Sequence, residues 1–181
     1  MSDESHGLVL QYLATVYETM NTLAVVRNLV EARFNHLSEN VSTLYVCRPL
    51  LNQDEVRSWM RQVGFPVSIP DMHVTIVFSK KKMDWTAVPP QLDSIRVSED
   101  GDLRTIERFG DEAIVLTFMS DDLQERWQEF IDAGASFDYD QYRPHITLTD
   151  EKVSKSLLKT EPYRGDLHFG PEVYQEIDTD R

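Results

Sequence analysis

One cysteine, Cys47, stands in 181 residues, so no disulfide forms within the chain and a reducing compartment suits it. Cys47 alternates with Leu and Val in a strand-like run, the usual setting of a small core thiol rather than a reactive one. No apolar run approaches the ~20 residues that span a bilayer. The start, Ser2-Asp3-Glu4-Ser5, is wrong for a signal peptide. The expected place is therefore a cytoplasm, with no membrane as partner. There is no low-complexity tract. Positive charge is the other shortage, with 18 Lys and Arg against 31 Asp and Glu and a formal net charge of −13. A chain this acidic repels polyanions at long range, which excludes a firm grip on duplex DNA or long RNA. A small anion is a different matter, because salt confines the field to ~8 Å and nearby charges decide. The length suits one domain able to bury its own core.

Two copies of one short pattern are present: His73-Val74-Thr75 and His145-Ile146-Thr147. By chance, on composition alone, one copy arises about one time in three and two about one time in twenty-five. Both copies sit in β-branched apolar runs, MHVTIVF and PHITLT, that read as strands. On a strand, residues i and i+2 share a face. Each motif therefore presents an imidazole beside a hydroxyl and turns Val74, Ile76, Ile146 and Leu148 the other way. Two such pairs facing one another supply two proton-transfer groups and two hydroxyl donors around one small anion. That is equipment for cleaving a phosphodiester without a metal. Zinc is a poor fit, since no carboxylate or thiolate stands at ligand spacing and Thr is not a usual ligand. Asp71 shares the His73 face and Asp150 faces away from His145.

These motifs resemble the signature of the 2H phosphoesterase superfamily, two H-x-[TS]-x motifs on strands. A closer similarity lies in Asp138-Tyr139-Asp140-Gln141-Tyr142-Arg143-Pro144-His145, in Leu44-Tyr45-Val46 and in Ser79. These resemble the bacteriophage anti-CBASS cyclic-oligonucleotide phosphodiesterases, which degrade the cyclic di- and trinucleotide messengers of antiphage signalling. The resemblance covers roughly Val41 onward. It implies an α+β fold, a bilobal domain with two antiparallel sheets lining a central cleft and helices outside. It implies hydrolysis of a cyclic di- or trinucleotide to a linear product, in the cytoplasm of an infected bacterial host, with no cofactor. His73 and His145 are then the acid and base, in either order, and Thr75 and Thr147 hold the non-bridging oxygens. Tyr45 stands where the family stacks a base, and Glu176 where a glutamate contacts a base edge. Trp85 and Tyr142 are further aromatic candidates, though Tyr142 has odd spacing from His145. The C-terminal tryptophan of the family is missing. Other readings stay open: a 2H phosphodiesterase acting on 2′,3′-cyclic nucleotides or RNA ends, or a non-catalytic cyclic-nucleotide sponge or structural oligomer.

Apolar residues recur at three- and four-residue steps from Leu8 to Leu37, predicting an amphipathic helix in an extension spanning 1–40. Its stripe must bury against residues 41–181 or against a second copy, making a homo-oligomer possible. Strands are predicted over Ser42–Cys47, Ser94–Ser98, Leu103–Phe109, Ala113–Met119, Leu167–Phe169 and Val173–Ile177. Helices are predicted over Asn52–Val63, with a box-like Asn52 and Glu55 at its start, and over Asp121–Ala133, stopped by Gly134. Lys80–Pro90 reads as irregular, with Lys80-Lys81-Lys82 either a solvated turn or an attraction for phosphate. Strand, helix and H-x-T strand recur in Ser42–Phe78 and again in Ala113–Leu148, an internal echo that brings the motif strands together.

Overall fold

The computed structural model describes residue 27 and residues 41–98, 103–110 and 113–177. Of the helix expected over Leu8–Leu37, only Arg27 falls among them, and it is helical. The elements in order are β1 (Ser42–Pro49), α1 (Gln53–Val63), β2 (His73–Met83), β3 (Ile95–Val97), β4 (Thr105–Phe109), β5 (Ala113–Thr117), α2 (Asp121–Asp132), β6 (His145–Thr149), β7 (Leu167–Phe169) and β8 (Val173–Gln175). The class is α+β.

Six strands form one antiparallel sheet in the order β4-β5-β6-β2-β1-β8. The internal echo is visible in it. Strands β1 and β2, linked by α1, make one half, and β5 and β6, linked by α2, make the other. The halves meet through a single registered pair, Val74 with Ile146. The expected pair of sheets lining a cleft thus takes another form, because both motif strands belong to the same sheet. The second sheet, β3 with β7, is two-stranded and carries neither motif.

The alternation read from the sequence decides which face is buried. Val74, Ile76, Ile146 and Leu148 are at most 1% exposed, while His73, Thr75, His145 and Thr147 between them are half-buried. Val56 and Met60 of α1 and Leu123 and Phe130 of α2 join those strand residues in one core. Each such side chain contributes about 1.5–3 kcal/mol on burial. Both helices end on a left-handed glycine, Gly64 at φ +91° and Gly134 at φ +99°. Neither position accepts an L side chain without strain.

Two local expectations are corrected. Lys80–Pro90 is not irregular throughout, since β2 runs on to Met83 and a short 3-10 turn follows at Trp85–Ala87. The far end of β2 is paired, because Ser42 of β1 registers with Met83 and Leu44 with Ser79 across a bulge. Asn52 precedes α1 but its side chain caps nothing there. Its amide instead donates to the Asp166 carbonyl at 2.8 Å and accepts from the His168 amide at 3.0 Å, tying the helix start to β7. Glu55 still accepts from Asn52 Nδ2 at 3.0 Å and its amide donates to the Asn52 carbonyl at 3.1 Å, but neither side chain caps a backbone amide of the other.

Beneath the sheet lies a buried ionic network that local sequence patterns do not reveal. Glu172, fully buried, accepts from Arg126 Nε at 2.8 Å, Arg126 Nη2 at 2.7 Å and the Gln91 amide at 2.8 Å. Arg48 approaches the same carboxylate at 3.5 Å and donates to the carbonyls of Asp93 and Gly170. Arg48 comes from β1 and Arg126 from α2, so the network fastens the two halves to one another.

Candidate active site

Strand β2 opens on His73 and β6 on His145. The antiparallel pair Val74 and Ile146 carries His73 toward Thr147 and Thr75 toward His145. The two His-Thr pairs therefore interleave crosswise on the face opposite the core.

Both imidazoles are held in the same way. His73 Nδ1 lies 3.0 Å from the Asp71 carbonyl, and His145 Nδ1 lies 2.7 Å from the Arg143 carbonyl, each two residues upstream. A carbonyl oxygen only accepts, so Nδ1 carries the proton in both rings and the neutral form keeps its lone pair on Nε2. The orientation comes from the chain turning into each strand, with backbone as the partner rather than a third side chain.

Tyr45 of β1 completes the first half. Its hydroxyl is 2.8 Å from His73 Nε2 and 3.2 Å from Thr75 Oγ1. With His73 neutral, the phenol donates to Nε2 and accepts from Thr75. Burial raises the Tyr45 pKa well above its ordinary value, with the neighbouring Cys47 adding to the rise. The phenol is thus a neutral hydrogen-bond partner and not a base. Cys47 itself is buried, and burial raises its thiol pKa.

His145 sits in a different setting. Its ring packs on Phe109 of β4 at 4.7 Å, and the Arg143 guanidinium covers the Phe109 ring at 4.9 Å. Arg143 Nη2 also bonds both oxygens of Glu107 at 2.6 Å. Burial pulls the His145 pKa below the usual histidine value, and the nearby Arg143 and His73 charges pull the same way against the bond to the Arg143 carbonyl. His145 is therefore neutral, with Nε2 ready to accept, at neutral pH.

The remaining candidates fall in several places. Trp85 is corrected: it is fully buried, its indole N–H donates to the Ser42 carbonyl at 3.3 Å, and its ring packs on Tyr174. A side chain with no exposed surface offers no platform to a ligand. Glu176 is exposed beyond β8 and bonded to Ser42 Oγ at the sheet edge, away from the His-Thr contacts. Tyr142 stacks on Trp127 at 5.6 Å and donates to the Thr75 carbonyl at 2.9 Å, bracing β2 through its backbone. Lys80 pairs with Asp138 at 2.6 Å. Asp150 accepts from Ser68 rather than joining the motifs. Phe109 and Glu107 were not singled out from the sequence. The signal for them is the period-two run Thr105, Glu107, Phe109, which shares a face and lies two strands from His145. Among the described residues, no three His, Cys, Asp or Glu side chains converge as metal ligands, and no helix is long and apolar enough to cross a membrane.

A family model for the anti-CBASS protein Acb1 matches residues 42–181. The chain belongs to the Acb1 family. It is 42% identical over 145 residues to the anti-CBASS protein Acb1 of Caulobacter sp. (strain RHG1), a match covering 75% of this chain and 22% of that relative. Similarity to the Sphingomonas paeninsulae Acb1 is also 42%, over 143 residues, 74% of this chain and 23% of the relative. The Acb1 of Escherichia phage RB16 is 36% identical over 86 residues, 46% of each chain. The chain thus spans less than a quarter of the length of the two bacterial relatives. Both H-x-T motifs and Tyr45 lie inside the stretch that the Acb1 family model matches.

Proposed function

We propose that this Acb1-family chain is a metal-independent phosphodiesterase of the 2H phosphoesterase type. It opens cyclic di- and trinucleotide signals to linear products in the cytoplasm of an infected bacterium and thereby counters CBASS defence. The observation that carries the reading is the matched fastening of two imidazoles, each with Nδ1 tied to a backbone carbonyl and each beside a threonine hydroxyl. The names of the Acb1 relatives supply the biological direction.

The chemistry follows from the asymmetry of the two rings. His145, neutral through burial, takes the proton of a ribose 2′-hydroxyl as that oxygen attacks phosphorus. The P–O5′ bond breaks and His73, protonated on Nε2, gives its proton to the departing oxygen. The Thr75 and Thr147 hydroxyls hold the non-bridging oxygens in line and stabilise the charge that develops. A 2′,3′-cyclic phosphate and a 5′-hydroxyl result. Water then opens that phosphate with the two histidines in reversed roles. Tyr45 keeps the His73 ring aimed and lies where a base rests beside it. Residues 41–181 are the catalytic unit and residues 1–40 an extension whose apolar stripe buries against that unit or against a second copy.

The test is turnover of 3′3′-cGAMP and cyclic tri-adenylate by the full chain in EDTA. Cleavage to linear products that survives EDTA supports the reading. Activity lost in EDTA and restored by a divalent metal ends it, and tight binding without turnover makes the chain a sponge. The pH profile carries a second expectation. His145 acts in its neutral form and its pKa is lowered, so the acid limb of kcat/KM falls below the ordinary histidine value of about 6.5. An acid limb above that value contradicts His145 as the base. Tyr45→Phe is expected to lower kcat about tenfold, the equivalent of one hydrogen bond of about 1.4 kcal/mol. An unchanged kcat removes Tyr45 from the positioning of His73.

A further inference from the structure

A cavity of about 310 Å³ lies beside His145, lined by residues of β4, β5, the start of α2 and the segment leading into β6. Its volume is at the bottom of the range for small-molecule sites, room for part of a cyclic nucleotide and not the whole ring. Thr117 registers with His145, and Thr105 registers with Thr117. Cross-strand partners share a face, so the cavity opens on the face that carries the two H-x-T motifs. It begins one strand spacing and reaches two from His145, about 5–10 Å, the reach from a phosphate to the base of its own nucleotide.

The polar lining presents oxygens. Thr105 Oγ1 donates to Glu107 Oε1 at 2.6 Å and lies 2.6 Å from Thr117 Oγ1, which donates to it in turn. Arg143 is the lining's cation, and both Glu107 oxygens already engage it. Asp121 adds a second carboxylate. Two carboxylates against one guanidinium leave the lining negative, which repels a phosphate and suits a neutral group carrying N–H donors. At the mouth, Leu103 is 75% exposed and Met119 57% exposed, flat apolar surface of the kind on which a planar ring rests.

We propose that this cavity is a nucleobase subsite for the nucleotide on the β6 side of the scissile phosphate, accepting a base with an exocyclic amino group in preference to uracil. The proposal rests on the cyclic-nucleotide reading above and extends it to a second recognition site, on the opposite flank of the motifs from Tyr45.

Two measurements on the full chain test it. In NMR titrations, adenosine should shift the resonances of Thr117 and the Met119 methyl, and uridine should do so at least about tenfold more weakly, a difference of about 1.4 kcal/mol. Met119→Trp, which fills the mouth, should abolish those shifts, whereas Leu51→Trp, on an exposed site elsewhere, should not. With 3′3′-cGAMP as substrate, Met119→Trp and Leu103→Trp should each raise KM about tenfold with kcat within about twofold, the mark of lost ground-state binding. Shifts confined to the Tyr45 side, equal response to adenosine and uridine, or an unchanged KM in both variants overturns the subsite. If 3′3′-cGAMP is not cleaved while adenosine still moves Thr117 and Met119, the phosphodiesterase reading fails and the subsite stands.

Discussion

His73→Ala and His145→Ala should each lower kcat on a cyclic dinucleotide by about 10²–10⁴-fold, the usual contribution of a positioned acid or base. The double variant should lose little more than either single one, because an acid and a base serving one transfer act as a unit. Neither substitution should unfold the protein. Both rings are half-buried on the face away from the core, and the bonds they make are to a nearby carbonyl and, for His73, to Tyr45. Urea unfolding of the variants should therefore stay within about 1 kcal/mol of the parent. The two losses differ in character. Without His145 the reaction lacks the base that takes the 2′-hydroxyl proton, and the acid limb of the pH profile should vanish. Without His73 the leaving oxygen departs unprotonated, so a substrate with a better leaving group, such as a nitrophenyl ester, should recover much of the rate. Full activity in either variant ends the two-histidine mechanism. Equal recovery by both on the activated ester ends the assignment of base to His145 and acid to His73.

Glu172→Ala should be the most destabilising single substitution considered, at about 3–5 kcal/mol, the cost of leaving a buried charge without its partner. Glu172 is fully buried, with Arg126 on both its oxygens and Arg48 at 3.5 Å. Removing it strands two guanidinium groups whose residues, Arg48 and Arg126, are themselves 1% and 5% exposed. Arg48 keeps the carbonyls of Asp93 and Gly170 and the Gln91 side chain, and Arg126 keeps Pro89 and Glu129. These are dipoles or a part-exposed carboxylate, and none replaces a buried one. In a domain of this size the loss corresponds to a melting temperature lower by roughly 6–20 °C. Glu172→Gln keeps the shape and one of the two acceptor oxygens, so it should cost less than Glu172→Ala, though its NH2 then meets donors that the carboxylate satisfied. Activity should fall along with stability, since only one registered pair joins the two motif strands and the network is a second tie between their halves. A loss under about 1 kcal/mol in urea unfolding would show that the ion pairs contribute no net stability here.

The features of this molecule that can be read from residue order are those governed by local periodicity. A two-residue period places His73 with Thr75 and His145 with Thr147, and it buries Val74, Ile76, Ile146 and Leu148 on the other side. A helical period finds α1 and α2 to within a residue or so, and Gly64 and Gly134 mark their stops. Periodicity is silent on what lies across a strand or under a loop. Trp85 has the composition of a ligand platform, yet the turn after β2 folds it into the core against Tyr174. Lys80, Lys81 and Lys82 look like a turn, yet β2 continues through them as it pairs with β1.

The face of each motif, the helices and the kinship with anti-CBASS proteins were thus determined by sequence alone, because side-chain direction on a strand depends only on the order of residues. Tertiary structure alone decided that the motif strands pair directly, that Tyr45 reaches His73 and Thr75, and that Phe109 packs on His145 with the Arg143 guanidinium over the Phe109 ring. It also decided that Glu172 gathers Arg126 and Arg48, the latter 124 residues away in the chain. Such contacts join residues far apart in sequence, and their energy comes from burial and charge in a space that exists only once the sheet and its helices have closed around it.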